Sequence, residues 1–354
     1  MDKYKIIHKI AAGGMAEVFL ARSAAAMGLG KFVAIKKILP DFSESSDFIN
    51  MFKAEAKVAM QMQHRNLISI YDFGTDADQC FLVMELVQGL NLAQILNSLQ
   101  KRQIQIPMTM TLYMMAEAAA GLHYAHDITI HRDISPANLM ISYSGEVKVI
   151  DFGIAKIKNY GEQTQAGIIK GKINYMSPEQ IAGQKLDFRS DIFSLGLVLY
   201  EILAGRRVFQ SLSGFESITQ LRDQKILSLK ELQPHLSCEL IACVEKAMQD
   251  NPQERFSSMD DFSRELRKIL NKNYPEFTAT ELSEFIKKEF FQQYQTQHDQ
   301  LMEFEMHSTD SLKLYDDTLV TQAPLISNPP LKSFENKFQF KVRKKFRIQI
   351  GDKL

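Results

Sequence analysis

The hydrophobic pattern of the chain changes its period near residue 85. Before that point, short apolar runs alternate with turn residues, a pattern typical of β-strands. One helical stretch, at about 46–63, interrupts them. From residue 92 onward, apolar residues recur every three or four positions, which predicts a series of helices. The sequence therefore predicts an α+β, bilobal chain, with a small β-rich lobe followed by a larger helical lobe. A ligand-binding cleft is expected between the lobes, near residues 84–91.

Composition excludes several classes of protein. Of 354 residues, 45% are hydrophobic, which is enough for one large or two medium cores. The 42 Lys and Arg residues balance 42 Asp and Glu residues, so no overall charge bias favours nucleic acid. The three cysteines lack zinc-site spacing and fit the reduced thiols of a cytoplasmic protein. We expect neither a signal peptide nor a membrane span, because the most apolar run, 192–203, is too short.

Two charged residues of the β-rich part are predicted to pair. In the run 33–38 (VAIKKI), the two-residue period of a strand puts Lys36 on the inward face. On the following helix, Glu55 falls within the apolar stripe. A buried carboxylate needs a cation, so we predict a Lys36–Glu55 ion pair rather than two solvated charges.

A glycine pair, Gly13 and Gly14, joins the first two predicted strands. There the backbone can approach a phosphate closely and offer N–H groups to it. A glycine-containing hairpin is by itself more often only a hairpin, so this signal is weak on its own.

Three further short motifs lie downstream of the glycine pair. The run 131–138 reads HRDISPAN, the run 151–153 reads DFG, and Ser-Pro-Glu follows at 177–179. Together with VAIK at 33–36, they resemble the eukaryotic-like protein kinases, in the family's order and spacing, over about residues 4–270. The resemblance implies a protein-kinase-like fold and a bacterial signalling enzyme. Such an enzyme transfers the γ-phosphoryl group of ATP to serine or threonine hydroxyls of proteins.

The resemblance also implies roles for single residues. Asp133 would accept or orient the proton of the substrate hydroxyl. Lys36, oriented by Glu55, would grip the α- and β-phosphates. Asn138 and Asp151 would hold Mg²⁺, or Mn²⁺ in its place, because such hard ions prefer oxygen ligands.

Other positions follow from the same resemblance. Glu179 and Arg255 match the family's buried ion pair, and Asp191 matches the residue that braces the catalytic loop. The positions expected to bind the nucleotide are Ala12, Gly13, Gly14, Val18, Ala34, Lys36, Met84, Glu85, Val87 and Met140.

The chain departs from the family pattern in the catalytic loop. Ser135 stands where Ser/Thr kinases usually place a lysine, and Lys172 stands where a threonine is usual. We predict that these two residues have exchanged roles, with Lys172 supplying the ammonium group and Ser135 the hydroxyl. Alanines replace two of the three glycines of the phosphate loop. Pro136 favours a Ser/Thr kinase over a tyrosine kinase.

These departures keep alternatives open. A pseudokinase that serves as a nucleotide-binding scaffold would tolerate the changes, although Lys36, Glu55, Asp133, Asn138 and Asp151 are all present. A small-molecule phosphotransferase of related fold is a weaker alternative, because the Ser-Pro-Glu segment shapes a groove for protein substrates. Thr164 is the candidate phosphorylation site, and a homodimer would allow phosphorylation between two copies.

The sequence predicts four regions: a kinase domain at 1–270, a helical extension at 271–306, a linker at 307–331 and a basic tail at 332–354. Within the first, we expect an N-lobe at 1–84, a hinge at 85–89 and a C-lobe at 90–270. The tail reads most simply as a short hairpin with a solvated basic face, and anionic lipid or nucleic acid is a less favoured partner.

Overall fold

The computed structural model describes residues 3–13, 16–24, 30–40, 46–76, 79–152, 173–207 and 226–319. The side chains of residues 46–48, 51, 55, 173 and 306–319 lie outside this description. Contacts divide the chain into two units, Met1–Thr309 and Asp310–Leu354. Both lobes belong to the first unit.

A five-stranded antiparallel sheet forms the N-terminal lobe, in the order β1-β2-β3-β5-β4. One face packs on helix α1, where Ile38 and Phe52 share a buried cluster. The other face buries Val33 and Ile35, as the two-residue period of a strand requires. The elements are β1 (Tyr4–Ala12), β2 (Ala16–Ser23), β3 (Phe32–Ile38), α1 (Ser46–Ala59), β4 (Ile70–Asp76) and β5 (Gln79–Glu85).

Helices dominate the second lobe. They are α2 (Leu92–Lys101), α3 (Met108–His126), α4 (Pro178–Ile181), α5 (Arg189–Ala204), α6 (Leu229–Leu232), α7 (Cys238–Ala247) and α8 (Met259–Asn273). Helices α3 and α5 are buried along most of their length, which explains why both are apolar on nearly every side. Helix α5 ends at Gly205, whose φ of 67° is the left-handed conformation that closes many helices.

A small antiparallel sheet lies where the chain enters the second lobe. Its strands are β6 (Gly89–Asn91), β7 (Leu139–Ser142) and β8 (Val147–Val149). A side chain at Gly89 would place its Cβ 2.1 Å from the Ile141 carbonyl oxygen, so only glycine fits there. Asn138 directly precedes β7, and Asp151 follows β8 by two residues. The β7–β8 hairpin therefore brings these two residues to the same edge.

Two further helices, α9 (Ala279–Glu289) and α10 (Phe291–Leu319), follow the second lobe. Leu282, Ile286 and Phe290 are at most 2% exposed and anchor α9 in the core. Beyond this anchor, the Gln297 side chain donates a hydrogen bond to the Gly89 carbonyl oxygen at 3.4 Å. Farther along, the Phe304 ring stacks on His8 of β1, with 5.8 Å between ring centroids. Residues 291–305, which we call the strap, thus contact both lobes.

The C-terminal helices differ from the expected pattern in one respect. Helix α10 continues to Leu319, into the segment predicted to be a linker from residue 307. Residues 307–319 contain neither glycine nor proline, and the next proline is Pro324. The sequence therefore carries no local signal that would end the helix at 306.

The predicted α+β bilobal fold is confirmed. The apolar pattern predicts a fourth strand from Leu67, whereas β4 begins at Ile70. Leu67 forms an isolated bridge with Val149 instead. The sequence also predicts a helix at 214–222, and this segment lies outside the described residues. Within the part of the chain that the structure describes, no helix has the length and apolar character needed to cross a bilayer.

Candidate active site

The loop between α3 and β7 holds Asp133 and Asn138 together. The Asn138 amide nitrogen donates hydrogen bonds to the Asp133 carbonyl oxygen at 2.7 Å and to its carboxylate Oδ2 at 2.9 Å. A 3-10 turn at Pro136–Asn138 positions Asn138, and the fixed φ of proline favours this turn. Both bonds use the amide nitrogen of Asn138, and neither uses its amide oxygen, a group of the kind that can bind a cation.

Asp191, buried near the start of α5, holds the backbone of the same loop. Its carboxylate accepts hydrogen bonds from the N–H groups of His131 and Arg132, both at 2.8 Å, and lies 2.9 Å from His126 Nε2. Burial alone would raise the pKa of Asp191, but the hydrogen bonds from His126 and from the His131 N–H hold that pKa below its ordinary value. The carboxylate therefore stays ionised and bound to the loop, in the position expected for the brace.

His131 connects the loop to the strand end that carries Asp151. Burial lowers the pKa of His131, which favours the neutral ring. Nε2 donates to the Ile150 carbonyl oxygen at 3.0 Å, and Nδ1 accepts from the Asp133 N–H at 3.3 Å. The ring also packs on Phe152, with centroids 4.6 Å apart.

Lys36 reaches this region from the N-terminal lobe. Its Nζ lies 2.7 Å from Asp151 Oδ1 and forms an ion pair with it. Asp151 has a φ of 57°, a left-handed conformation that is uncommon outside glycine and is found often in active sites. The predicted pair of Lys36 with Glu55 stays a prediction: Glu55 lies in α1, but its side chain is outside the described residues.

The positions expected to line the nucleotide lie on adjoining strands. Across the sheet, Val18 of β2 is opposite Lys36, and Ala34 of β3 is opposite Met84 of β5. Met140 lies on β7, in the small sheet of the second lobe. Ala12 ends β1, Gly13 donates a hydrogen bond to the Ala16 carbonyl oxygen at 2.8 Å, and Gly14 is outside the described residues.

The connection between the lobes offers backbone groups to a ligand. In the part of the chain that the structure describes, the Val87 N–H has no hydrogen-bond partner. The Glu85 N–H, in contrast, donates to the Ser69 carbonyl oxygen at 2.9 Å. The Glu85 side chain forms an ion pair at 2.9 Å with buried Lys148 of β8. This pair ties the connection to the small sheet of the second lobe.

Ser135, which follows Asp133 by two residues, is buried. Among the described residues, its hydroxyl has no hydrogen-bond partner. A buried hydroxyl without a partner costs about 1–3 kcal/mol and is often explained by a functional role. Lys172, its predicted counterpart, and Thr164, the predicted phosphorylation site, both lie outside the described residues.

Glu179 and Arg255 form a buried, bidentate ion pair. The two guanidinium nitrogens lie 2.7 and 2.8 Å from the two carboxylate oxygens, and the Ser190 hydroxyl donates a third bond at 2.7 Å. Burial alone would raise the pKa of Glu179, but the Arg255 and Ser190 hydrogen bonds bring it below its ordinary value. The pair ties α4 to the segment that precedes α8.

Sequence reasoning missed two residues of the site, Gln180 and Lys148. The Gln180 amide nitrogen donates to the Arg132 carbonyl oxygen at 2.9 Å, across 48 positions of sequence. The sequence signals only the capping role of Gln180, three residues after Ser177. Lys148 stands between two valines, a pattern that predicts an exposed lysine, yet it is 7% exposed.

Comparisons with known proteins agree with this geometry. The family model described as "Protein kinase domain" matches residues 4–274. "Tyrosine-protein kinase MasK" of Myxococcus xanthus is 36% identical over 296 residues, which are 81% of this chain and 46% of that protein. "Serine/threonine-protein kinase PrkC" of Bacillus subtilis is 32% identical over 292 residues, which are 80% of this chain and 44% of that protein. The chain therefore spans less than half the length of these curated relatives.

A solved structure shows the same fold. The crystal structure of the PknI kinase domain of Mycobacterium tuberculosis superposes with a TM-score of 0.60 at 24% identity. The superposition covers 77% of this chain and 96% of that domain. The family match ends at residue 274, before helix α9.

Proposed function

The chain belongs to the protein kinase domain family, and we propose that it is an active kinase that transfers the γ-phosphoryl group of ATP to serine or threonine side chains of proteins. One observation carries the proposal: the Lys36–Asp151 ion pair joins the two lobes next to the loop in which Asn138 orients Asp133. A pseudokinase has no need to keep all four side chains in this arrangement.

Each side chain has a task in the proposed reaction. Phosphoryl transfer needs alignment and charge neutralisation more than covalent chemistry. Lys36 would bind the α- and β-phosphates, and the backbone of Glu85 and Val87 would bind the adenine edge. Asp133 would orient the acceptor hydroxyl and take its proton.

The residues present also fit a divalent cation. The amide oxygen of Asn138 and the carboxylate of Asp151 are hard oxygen donors, which suit Mg²⁺ or Mn²⁺. When bound, such an ion would neutralise charge on the phosphate oxygens. Asp191 and His131 hold the backbone of the loop that carries Asn138, which supports this role.

Tyrosine is the second candidate acceptor. The relative from Myxococcus xanthus carries the name of a tyrosine-protein kinase, and Ser135 stands where serine/threonine kinases usually have lysine. Pro136 supports the serine/threonine assignment, as does the name of the Bacillus subtilis relative. We favour serine and threonine.

The regions around the catalytic residues complete the proposal. We propose a kinase domain at 1–270, followed by an extension that begins with α9, and a role in bacterial signalling within the cytoplasm. Thr164 would be the phosphorylated residue, and a homodimer would allow one copy to modify another. A phosphate there could pair with Arg132, whose buried Nε has no partner among the described residues.

An assay with radiolabelled ATP and Mg²⁺ tests the proposal on the purified chain and on Asp133→Asn. We expect wild-type autophosphorylation and a loss of about a thousandfold or more in the variant, because the acceptor proton has no base. Acid hydrolysis of the product separates phosphoserine and phosphothreonine from phosphotyrosine. Nucleotide binding without any transfer by the wild type would instead support the pseudokinase.

A further inference from the structure

The Gln180 side chain bonds at both ends. Its oxygen accepts hydrogen bonds from the Ser177 N–H at 3.0 Å and the Ser177 hydroxyl at 3.2 Å, which caps helix α4. Its nitrogen donates to the Arg132 carbonyl oxygen at 2.9 Å. One side chain therefore ties the start of α4 to the loop that carries Asp133.

The bond from Gln180 reaches a residue with an uncommon backbone conformation. Arg132 has a φ of 66°, a left-handed conformation that a residue other than glycine keeps only when its surroundings hold it there. Asp191 holds the Arg132 N–H. The peptide group between Arg132 and Asp133 is held at both polar atoms: Gln180 binds its oxygen, and His131 Nδ1 accepts from its N–H.

We infer that Gln180 is a positioning residue for Asp133. The plane of the Arg132–Asp133 peptide sets the direction in which the Asp133 side chain leaves the backbone. Gln180 fixes that plane from the side of α4, so the carboxylate points at the acceptor hydroxyl with little freedom to turn. This inference rests on the proposed function, in which Asp133 acts on that hydroxyl.

Gln180→Glu separates the two tasks of the side chain. A glutamate oxygen still accepts from Ser177, and a carboxylate in the first turn of a helix suits the helix dipole. A carboxylate cannot donate to the Arg132 oxygen, so a repulsion between two acceptor oxygens replaces the bond to the loop. We expect a cooperative melting transition, a kcat lower by about five- to tenfold, and a KM for ATP within about twofold of wild type.

The chain offers a matched control at α2. There Gln94 accepts from the Asn91 N–H at 3.0 Å in the same kind of capping box, and among the described residues its side chain makes no hydrogen bond to the catalytic loop. Gln94→Glu should leave kcat unchanged, and it should also melt cooperatively. An equal loss of kcat in both variants, or a kcat for Gln180→Glu within about twofold of wild type, would overturn the inference.

Hydrogen exchange measured without nucleotide keeps this test independent of catalysis. The amides of residues 131–133 should exchange faster in Gln180→Glu than in Gln94→Glu. If the wild type transfers no phosphate, the proposed function fails, while the exchange rates still decide the role of Gln180. Equal exchange rates in the two variants would refute it.

Discussion

Two neighbouring lysines of β3 should respond very differently to substitution. Lys36 pairs with Asp151 at 2.7 Å, whereas Lys37 pairs with Asp76 at 3.5 Å on the other face of the strand. Lys36→Met should lower phosphotransfer about a hundredfold or more, because the phosphates lose a fixed positive charge. Lys37→Met should change it less than about twofold, since Lys37 lies on the face of β3 opposite to the Lys36–Asp151 pair. Steady-state assays measure both, and similar losses would contradict the assignment of Lys36.

The proposed exchange of Ser135 and Lys172 predicts coupling between them. A cation about 4 Å from the transferring phosphoryl group is worth up to roughly 4 kcal/mol at an effective dielectric near 20, before desolvation. Lys172→Thr should therefore lower kcat by about 10² to 10³ and affect ATP affinity much less. Adding Ser135→Lys should restore much of that loss.

A double-mutant cycle on kcat decides whether the two positions act together. If the effects of the two substitutions add in free energy within about 0.5 kcal/mol, the positions are independent. The exchange is then wrong, and Lys172 is a solvated loop charge.

Some residues of the site could be predicted from the sequence, and others could not. Asp133, Asn138 and Asp151 could be found because each sits in a short motif whose spacing is set by local structure. Gln180 could not be linked to Arg132, because their bond depends on how α4 packs against a loop 48 positions away. Side-chain bonds between distant segments leave no periodic trace in a sequence.

At the scale of elements, the Glu179–Arg255 pair should be a main support of the second lobe. Arg255→Met leaves the buried Glu179 carboxylate without its partner, which we expect to cost about 3–5 kcal/mol of unfolding free energy. Arg264→Met is the control, since Arg264 on α8 is 67% exposed and pairs with Asp260 and Asp261. Its cost should be at most about 1 kcal/mol. Urea denaturation measures both losses of unfolding free energy. Equal losses would show that the buried pair stabilises the lobe no more than an exposed pair does.

Elements with a strong local signal were predicted closely. Helix α2 (Leu92–Lys101) begins at residue 92, where the helical pattern begins, because Asn91 and Gln94 form a capping box at the start of an amphipathic stretch. Helix α10 was placed less well. Its sequence is polar, its break at Phe290 has no glycine or proline, and its end at Leu319 has no stop signal.

At the scale of the whole molecule, the strap should steady the N-terminal lobe. Phe304 contacts His8 on β1, the strand that leads into the glycine turn at Gly13. Phe304→Ala should make the β1 amides exchange hydrogen faster and weaken binding of an ATP analogue by about three- to tenfold. Calorimetry and hydrogen exchange provide the measurements.

Phe291→Ala is the matched control, because Phe291 lies on the same helix and is 53% exposed. It should leave both quantities unchanged. If both variants lost nucleotide affinity, or if neither did, the contact between Phe304 and His8 would not be what affects nucleotide binding.

Nucleotide binding should in turn affect the contact between the strap and β1. Thermodynamic linkage is reciprocal, so any factor by which a docked strap tightens nucleotide binding is also the factor by which nucleotide tightens docking of the strap. A fluorophore or spin label near Met302, which is 44% exposed on the strap, would then report whether the cleft is occupied. The C-terminal helix would thus carry the state of the catalytic cleft outward to whatever follows it in the chain.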